Sequence, residues 1–388
     1  MCNMTGLERI RCVVNLEEPD VVPFFEQGVS PTLLKSLFGE RLKTYDCGDG
    51  QYEMYRDYVR YGREYVVRRM AEADVKLCER MKFDLLRVRT VPVWDEKPRQ
   101  VNKYTFRVGE NWSQYYIKYC PESGMFSRFE TPEDRLGMKA VELIVESLEK
   151  PDPDRIEEMY DAYRIVYDEI GDTVALCGYG GIGIPVHPVW LKAVYIRPEL
   201  VERYLDYQLM YSMEHVRISA RLGASLILGG GDLADNHGPI YPPKIYRSFV
   251  LPRLRKLMEF CHSYGLRYIY RTDGNVWSLF DMWFKEAGVD GYGEIDAGAG
   301  MKLSEIKEKY PEVILWGNVN CGETLVSGNL EDVVREVTDN IYGAAPFCGY
   351  IFGSSNTLHM GVKPENVRVM IETYIHIRSY PLKRLVGV

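Results

Sequence analysis

Short runs rich in Val, Ile, Leu and aromatic residues recur along the chain at 21–26 (VVPFFE), 84–88 (DLLRV), 173–178 (TVALCG) and 225–230 (SLILGG). Four more follow at 267–272 (RYIYRT), 289–295 (VDGYGEI), 313–318 (VILWGN) and 349–353 (GYIFG). Their apolar residues run continuously, the mark of parallel strands covered on both faces. Helical periodicity follows most of them. Pro198-Glu199 opens a long amphipathic helix, with Pro suited to the first turn and Glu to the positive end of the helix dipole. Pro242-Pro243 opens another that is predicted to reach about Tyr264, with Pro252 as a kink and Gly265 as its stop. A Tyr-rich helical segment is expected over 51–79. Strand followed by helix, eight times, predicts a (β/α)8 TIM barrel, with a doubly wound open sheet as the alternative.

One region breaks the repeat. Residues 91–128 alternate polar with aromatic or aliphatic side chains between turn signals, which predicts an inserted antiparallel β-hairpin or small meander over one end of the barrel. No solenoid period, low-complexity tract or linker interrupts the chain. The expectation is one domain over 1–388 with an elaborated rim.

Composition narrows the partners. The 48 Lys plus Arg against 56 Asp plus Glu leave a net charge of −8, which argues against nucleic acid or an anionic membrane as the main partner. Nine cysteines without a C-x-x-C pair fit a reducing compartment. No basic stretch followed by an apolar run opens the chain, so a cytoplasmic protein is expected. The uncharged stretch 173–191 is broken by Gly and Pro and reads as strand and loop rather than a membrane span.

In a barrel the chemistry gathers where the strands end, because the loops there converge on one mouth. Those positions hold Glu26, Arg87, Arg89, Tyr179, Asp232, Asp235 and His237, then Arg271, Asp273, Glu294 and Asp296. The last strands add Asn318, Asn320, Cys321, Ser354, Ser355 and Asn356, with His359 nearby. Any one of them could simply be the polar end of a strand; all eight ends behaving alike points to an active mouth. Other signals are weak. Gly178-Tyr179-Gly180-Gly181-Ile182-Gly183 follows a strand, but Pro185 and Pro188 block the helix a dinucleotide fingerprint must open. It reads instead as a flexible loop where backbone approaches a ligand. The chain lacks a Gly-Lys dipeptide, which excludes a standard P-loop, and has no H-E-x-x-H.

Several strand ends form a recognisable series: Gly231-Asp232-Leu233-Ala234, Gly238-Pro239, Pro243-x-x-Tyr246 and Thr272-Asp273-Gly274-Asn275. Ala299-Gly300-Met301, Gly317-Asn318-Val319-Asn320 and Pro364-Glu365-Asn366 continue it, and Glu8-Arg9, Glu18-Pro19-Asp20 and Pro23 open the chain in the same manner. Together these resemble the uroporphyrinogen decarboxylase and corrinoid-dependent methyltransferase superfamily. The resemblance implies a barrel and one of two chemistries: decarboxylation of a tetrapyrrole's acetate groups, or methyl transfer involving a corrinoid or a thiol, usually with zinc. Two departures matter. The family's arginine-rich first strand end reads Phe24-Phe25-Glu26-Gln27-Gly28 here. The thiol-methylating branch's zinc-binding H-x-C reads Arg271-Thr272-Asp273, and Ser355-Asn356 stands at its later cysteine.

The first expectation is therefore a methyltransferase that moves a methyl group from a small methylated compound to a corrinoid carried by a separate partner protein. Asp273, Asp232, Asp296 and Arg271 are the catalytic candidates, because an ether or amine leaving group needs a general acid or a Lewis acid. Glu26, Arg87, Arg89, Tyr179, His237, Asn318 and His359 are the substrate-binding candidates. Asp273, Glu294 and Cys321, from successive strands, are the candidate ligands of a metal, with zinc as the ion the resemblance implies. A decarboxylase using Arg87, Arg89 and Arg271 as carboxylate clamps is the second reading, and a non-catalytic ligand-binding barrel the third.

Overall fold

The structure is a computed structural model that describes residues 4–382. In chain order its strands are β1 (Leu85–Leu86), β2 (Arg99–Asn102), β3 (Thr105–Val108), β4 (Tyr115–Cys120), β5 (Met125–Phe129), β6 (Ala175–Tyr179) and β7 (Leu226–Gly230). They continue as β8 (Ala234–Asp235), β9 (Gly238–Pro239), β10 (Arg267–Arg271), β11 (Gly291–Gly293), β12 (Ile314–Val319) and β13 (Tyr350–Ser354). Seven of them form one curled parallel sheet in the order β1-β6-β7-β10-β11-β12-β13. β12 and β13 are buried at every position, which is why their sequences show no polar alternation.

The run 21–26 forms no ladder strand. Pro23 has no N–H to donate, so pairing there shrinks to single bridges. Those bridges nonetheless join the two edges of the sheet. Phe25 N–H donates to Phe352 O (2.9 Å), Phe352 N–H donates to Pro23 O (2.8 Å), and Asp84 N–H donates to Phe24 O (3.0 Å). Phe25 then packs among buried residues from the strands, with its ring 4.8 Å from that of Trp316. The helix Gly6–Val14 adds Ile10 and Val13 to this cluster. Its Leu7 N–H donates to Thr173 O (2.9 Å), just before β6, so it covers the end opposite the strand carboxyl termini.

Several local features differ from the sequence expectation. The Tyr-rich segment is two helices, Cys47–Tyr61 and Arg63–Met81, broken at Gly62 (φ 86°). Pro252 sits in the first turn of the helix Leu251–Ser263, directly after a π-helical turn at Tyr246–Val250. The irregularity is therefore a widened turn ahead of the proline, which accommodates the missing donor. The glycine loop after β6 borders a cavity of about 370 Å³, lined by Gly181, Ile182 and Gly183 together with Asp232, and is anchored to the protein behind it. Gly181 N–H donates to Ser212 Oγ (3.0 Å), Gly183 N–H to Gln208 Oε1 (2.9 Å), and Gly180 O accepts from Tyr268 Oη (3.0 Å).

Residues 91–98 are irregular, and four antiparallel strands follow in the order β2-β3-β4-β5. This sheet packs on the helix Cys47–Tyr61 through stacked Tyr52 and Tyr119 rings (4.6 Å) and through Tyr55 against Phe106 (5.5 Å) and Phe126 (5.1 Å). Gly48 makes the approach possible: a Cβ there would lie 1.9 Å from Gly124 O. Among the described residues no helix is long and apolar enough to cross a membrane.

Candidate active site at the strand carboxyl ends

Side chains from four strand ends and from the linking segment meet in one hydrogen-bonded network. Gln27, which follows the linking segment, is its hub. Its Oε1 accepts from Arg87 Nη1 (2.9 Å), and its Nε2 donates to Glu294 and to Asn356 Oδ1 (3.1 Å). Arg271 Nη1 reaches both oxygens of Glu294 at 3.2 Å. Asn356 Nδ2 donates to Asp273 Oδ2 (3.2 Å), which ties the acid after β10 to the loop after β13.

The acids differ in their surroundings. Asp273 is half-buried, and its pKa is raised, first by that burial and then by the like charges of Asp232 and Asp296. Glu294 is buried and its pKa is also raised by desolvation, against the opposing pull of Arg271 and Arg87. Its backbone lies at φ 61°, a left-handed conformation unusual for a residue with a side chain. Asp296 accepts from Gly298 N–H (2.9 Å) and Ala299 N–H (3.3 Å), capping a short turn. Glu26 is 2% exposed and faces the seam, where one oxygen accepts from Ser354 N–H (2.9 Å) and the other meets Ser354 Oγ. Burial pushes its pKa up to about 8.

Other sequence candidates lie apart from this network. Arg89 is paired with Asp46, a buried acid that the sequence reading did not single out. Tyr179 donates its hydroxyl to Val88 O and flanks the Arg87 guanidinium at 5.8 Å. His237 and Asp235 share an exposed turn, in which Asp235 Oδ1 accepts from His237 N–H (2.7 Å). His359 uses both ring nitrogens locally, Nε2 on Cys321 O (3.2 Å) and Nδ1 accepting from Gly361 N–H (3.1 Å). Asn320 caps its own loop by accepting from Gly322 and Glu323 N–H, both at 2.9 Å. Asn318 donates to Met301 O (3.4 Å), while its buried Oδ1 has no partner among the described residues.

The expected metal trio is corrected by the structure. Among the described residues no group of three or more His, Cys, Asp or Glu could hold a metal ion, so Asp273, Glu294 and Cys321 do not assemble into one. The reason is local. Glu294 is engaged by Arg271 and Gln27, whereas Cys321 Sγ accepts from Ser355 Oγ (3.5 Å) and burial raises its thiol pKa to about 11. A zinc ion does not fit these residues.

Asn356 stands among the expected mouth positions without an assigned role, and Gln27, a neutral amide just past the expected first strand, is not singled out by the sequence, because such amides look like ordinary turn formers. The one available signal was position: Gln27 directly follows the strand-end Glu26.

A methyltransferase from Methanosarcina mazei superposes with a TM-score of 0.63 at 17% identity, covering 96% of this chain and 99% of that one, a likeness of fold. Uroporphyrinogen decarboxylase of Geobacter metallireducens is 24% identical over 245 residues, 59% of this chain and 68% of the relative. That of Pelobacter propionicus is 24% identical over 275 residues, 64% of this chain and 78% of the relative. Residues 138–376, more than half of the chain, match the uroporphyrinogen decarboxylase (URO-D) family, and the chain belongs to that family.

Proposed function

We propose that this protein is a methyltransferase that works at a closed (β/α)8 mouth, taking a methyl group from a small methylated compound and passing it to a corrinoid on a separate partner protein. The observation that carries the reading is Asp273: half-buried beside Asp232 and Asp296, and oriented by Asn356. A carboxyl whose pKa is raised in this way holds a proton to higher pH and can act as a general acid. The reduced corrinoid, bound as co-substrate, supplies the nucleophile. As the methyl–heteroatom bond breaks, the leaving heteroatom keeps the electron pair and takes the proton from Asp273. Arg271 balances the charge of Glu294 and, with Gln27, keeps the wall of the mouth rigid.

The test mixes the protein with a reduced corrinoid protein and a panel of methoxylated arenes and methylamines. Appearance of the methylated corrinoid's absorption spectrum supports the reading. Replacing Asp273 with Asn should lower turnover roughly 10²- to 10⁴-fold while shifting the thermal midpoint by no more than about 2 °C. The rate should fall on the alkaline side as Asp273 loses its proton, and Asp232→Asn should move that limb to lower pH, because one like charge is removed. An unmoved limb counts against Asp273 as the acid. The two curated relatives favour a decarboxylase as the second reading. Against it, Arg89 and Arg271 already hold the protein's own Asp46 and Glu294. Carbon dioxide release without methylation of the corrinoid across the panel would establish it.

A further inference from the structure

Beneath the antiparallel sheet, between it and the barrel mouth, lies a cavity of about 410 Å³. Three arginines line it: Arg87 and Arg89 from the segment after β1, and the solvent-exposed Arg128 from β5. Tyr45, Tyr55 and Tyr179 form its aromatic walls. The charges do not cancel. Arg89 is balanced by Asp46, whereas Arg87, which shares the Glu294 carboxylate's field with Arg271, hydrogen-bonds the neutral amide of Gln27 through Nη1 and keeps a buried Nε with no partner among the described residues. Arg128 lies over the Tyr115 ring at 4.9 Å, which positions it without neutralising it. An excess of positive charge in an aromatic recess, with one buried donor unsatisfied, is what a planar anion complements.

We infer that this recess binds an aromatic ring carrying an anionic group, carboxylate or phosphate, with the anion on Arg87 and Arg128 and the ring between the tyrosines. The inference rests on the methyl-transfer reading only in taking that ligand to be the methyl donor. Arg87 is joined to Asp273 through Gln27 and Asn356, so the recess and the acid share one hydrogen-bonded network.

The test is equilibrium binding by calorimetry, which needs no turnover. The probes are 4-methoxybenzoate, 4-methoxyphenyl phosphate, neutral methoxybenzene and non-aromatic cyclohexanecarboxylate. One or both aromatic anions should bind about tenfold or more tightly than the other two. Whichever is tighter identifies the anionic group. Arg128→Gln should weaken that binding about tenfold without changing the thermal midpoint, and Arg128→Lys should restore part of it. Equal affinity for methoxybenzene, equal affinity for cyclohexanecarboxylate, or indifference to Arg128→Gln would each overturn the inference. Aromatic anions that bind but are never demethylated would sink the methyl-transfer reading and leave the recess standing. Demethylation of neutral donors with no preference for anions would do the reverse.

Discussion

The hydroxyl of Ser354 has a single hydrogen and two acceptors, Glu26 and Asn356 O (2.6 Å). An ionised Glu26 would leave one of them unserved. A protonated Glu26 donates to Ser354 Oγ, and Ser354 then donates onward to Asn356, so every group is satisfied. Burial favours the same state, with the pKa pushed up to about 8 from an ordinary value of 4.5. Because the folded value is the higher one, this group's contribution to stability is complete below pH 4.5 and is lost as pH rises through about 8. Glu26→Gln preserves both hydrogen bonds without a titrating proton. The variant should therefore match the wild type near pH 4.5 and be the more stable of the two at pH values above 8, in urea unfolding followed by circular dichroism. Parallel pH dependences would show that Glu26 is already ionised. At this scale the sequence was a partial guide. Asp273 and Glu294 follow buried strands, as the apolar runs imply, but Glu26, expected to end a first strand, closes an unpaired segment instead and turns into the seam. Which way a strand-end side chain points depends on register and twist, and the unpaired segment at Pro23 hides both.

Among the elements, the helix Cys47–Tyr61 carries the antiparallel sheet, and their junction depends on an absent side chain. Gly48→Ala would place a methyl carbon 1.9 Å from a backbone oxygen of Gly124, and backbone in a tight turn cannot yield as a flexible side chain would. The expected result is faster proteolysis within 121–124 and a loss of about 1–3 kcal/mol in unfolding free energy. Unchanged proteolysis would mean that the sheet is held by its aromatic contacts alone. The polar–apolar alternation over 91–128 shows where antiparallel structure lies, but not that 91–98 is irregular or that four strands form. Strand boundaries there follow from the turns, and the partners follow from Tyr52 and Tyr55, which lie about fifty residues or more earlier in the chain.

At the scale of the whole molecule, one buried carboxylate reinforces the backbone bonds that join the sheet's edges. Asp84 accepts from Phe24 N–H (2.8 Å) and from Arg9 Nη1 (2.8 Å), joining the linking segment, β1 and the helix Gly6–Val14. Asp84→Ala leaves a buried donor unmet and Arg9 with only Asp20 (2.7 Å), so unfolding free energy should drop by about 3 kcal/mol. Chemical denaturation measures it, and a change below about 1 kcal/mol would mean that the seam closes without Asp84. The strand–helix repeat made this architecture readable, since continuous apolar runs specify parallel strands wherever both faces are covered. The joining of the two edges was not readable, because it consists of a few backbone bonds around a proline.

The sheet of β2–β5 comes from one uninterrupted stretch between β1 and β6, whereas the acids of the mouth come from loops after β7, β10 and β11. Of the three arginines in the recess, one is supplied by the insertion and two by the barrel. On the reading proposed above, part of the donor's binding wall therefore lies on a different piece of the chain from the acids. Exchange of residues 99–129 between relatives could retune which compound is accepted while the acid that acts on it stays fixed, so one barrel could diversify across many donors by altering only its roof.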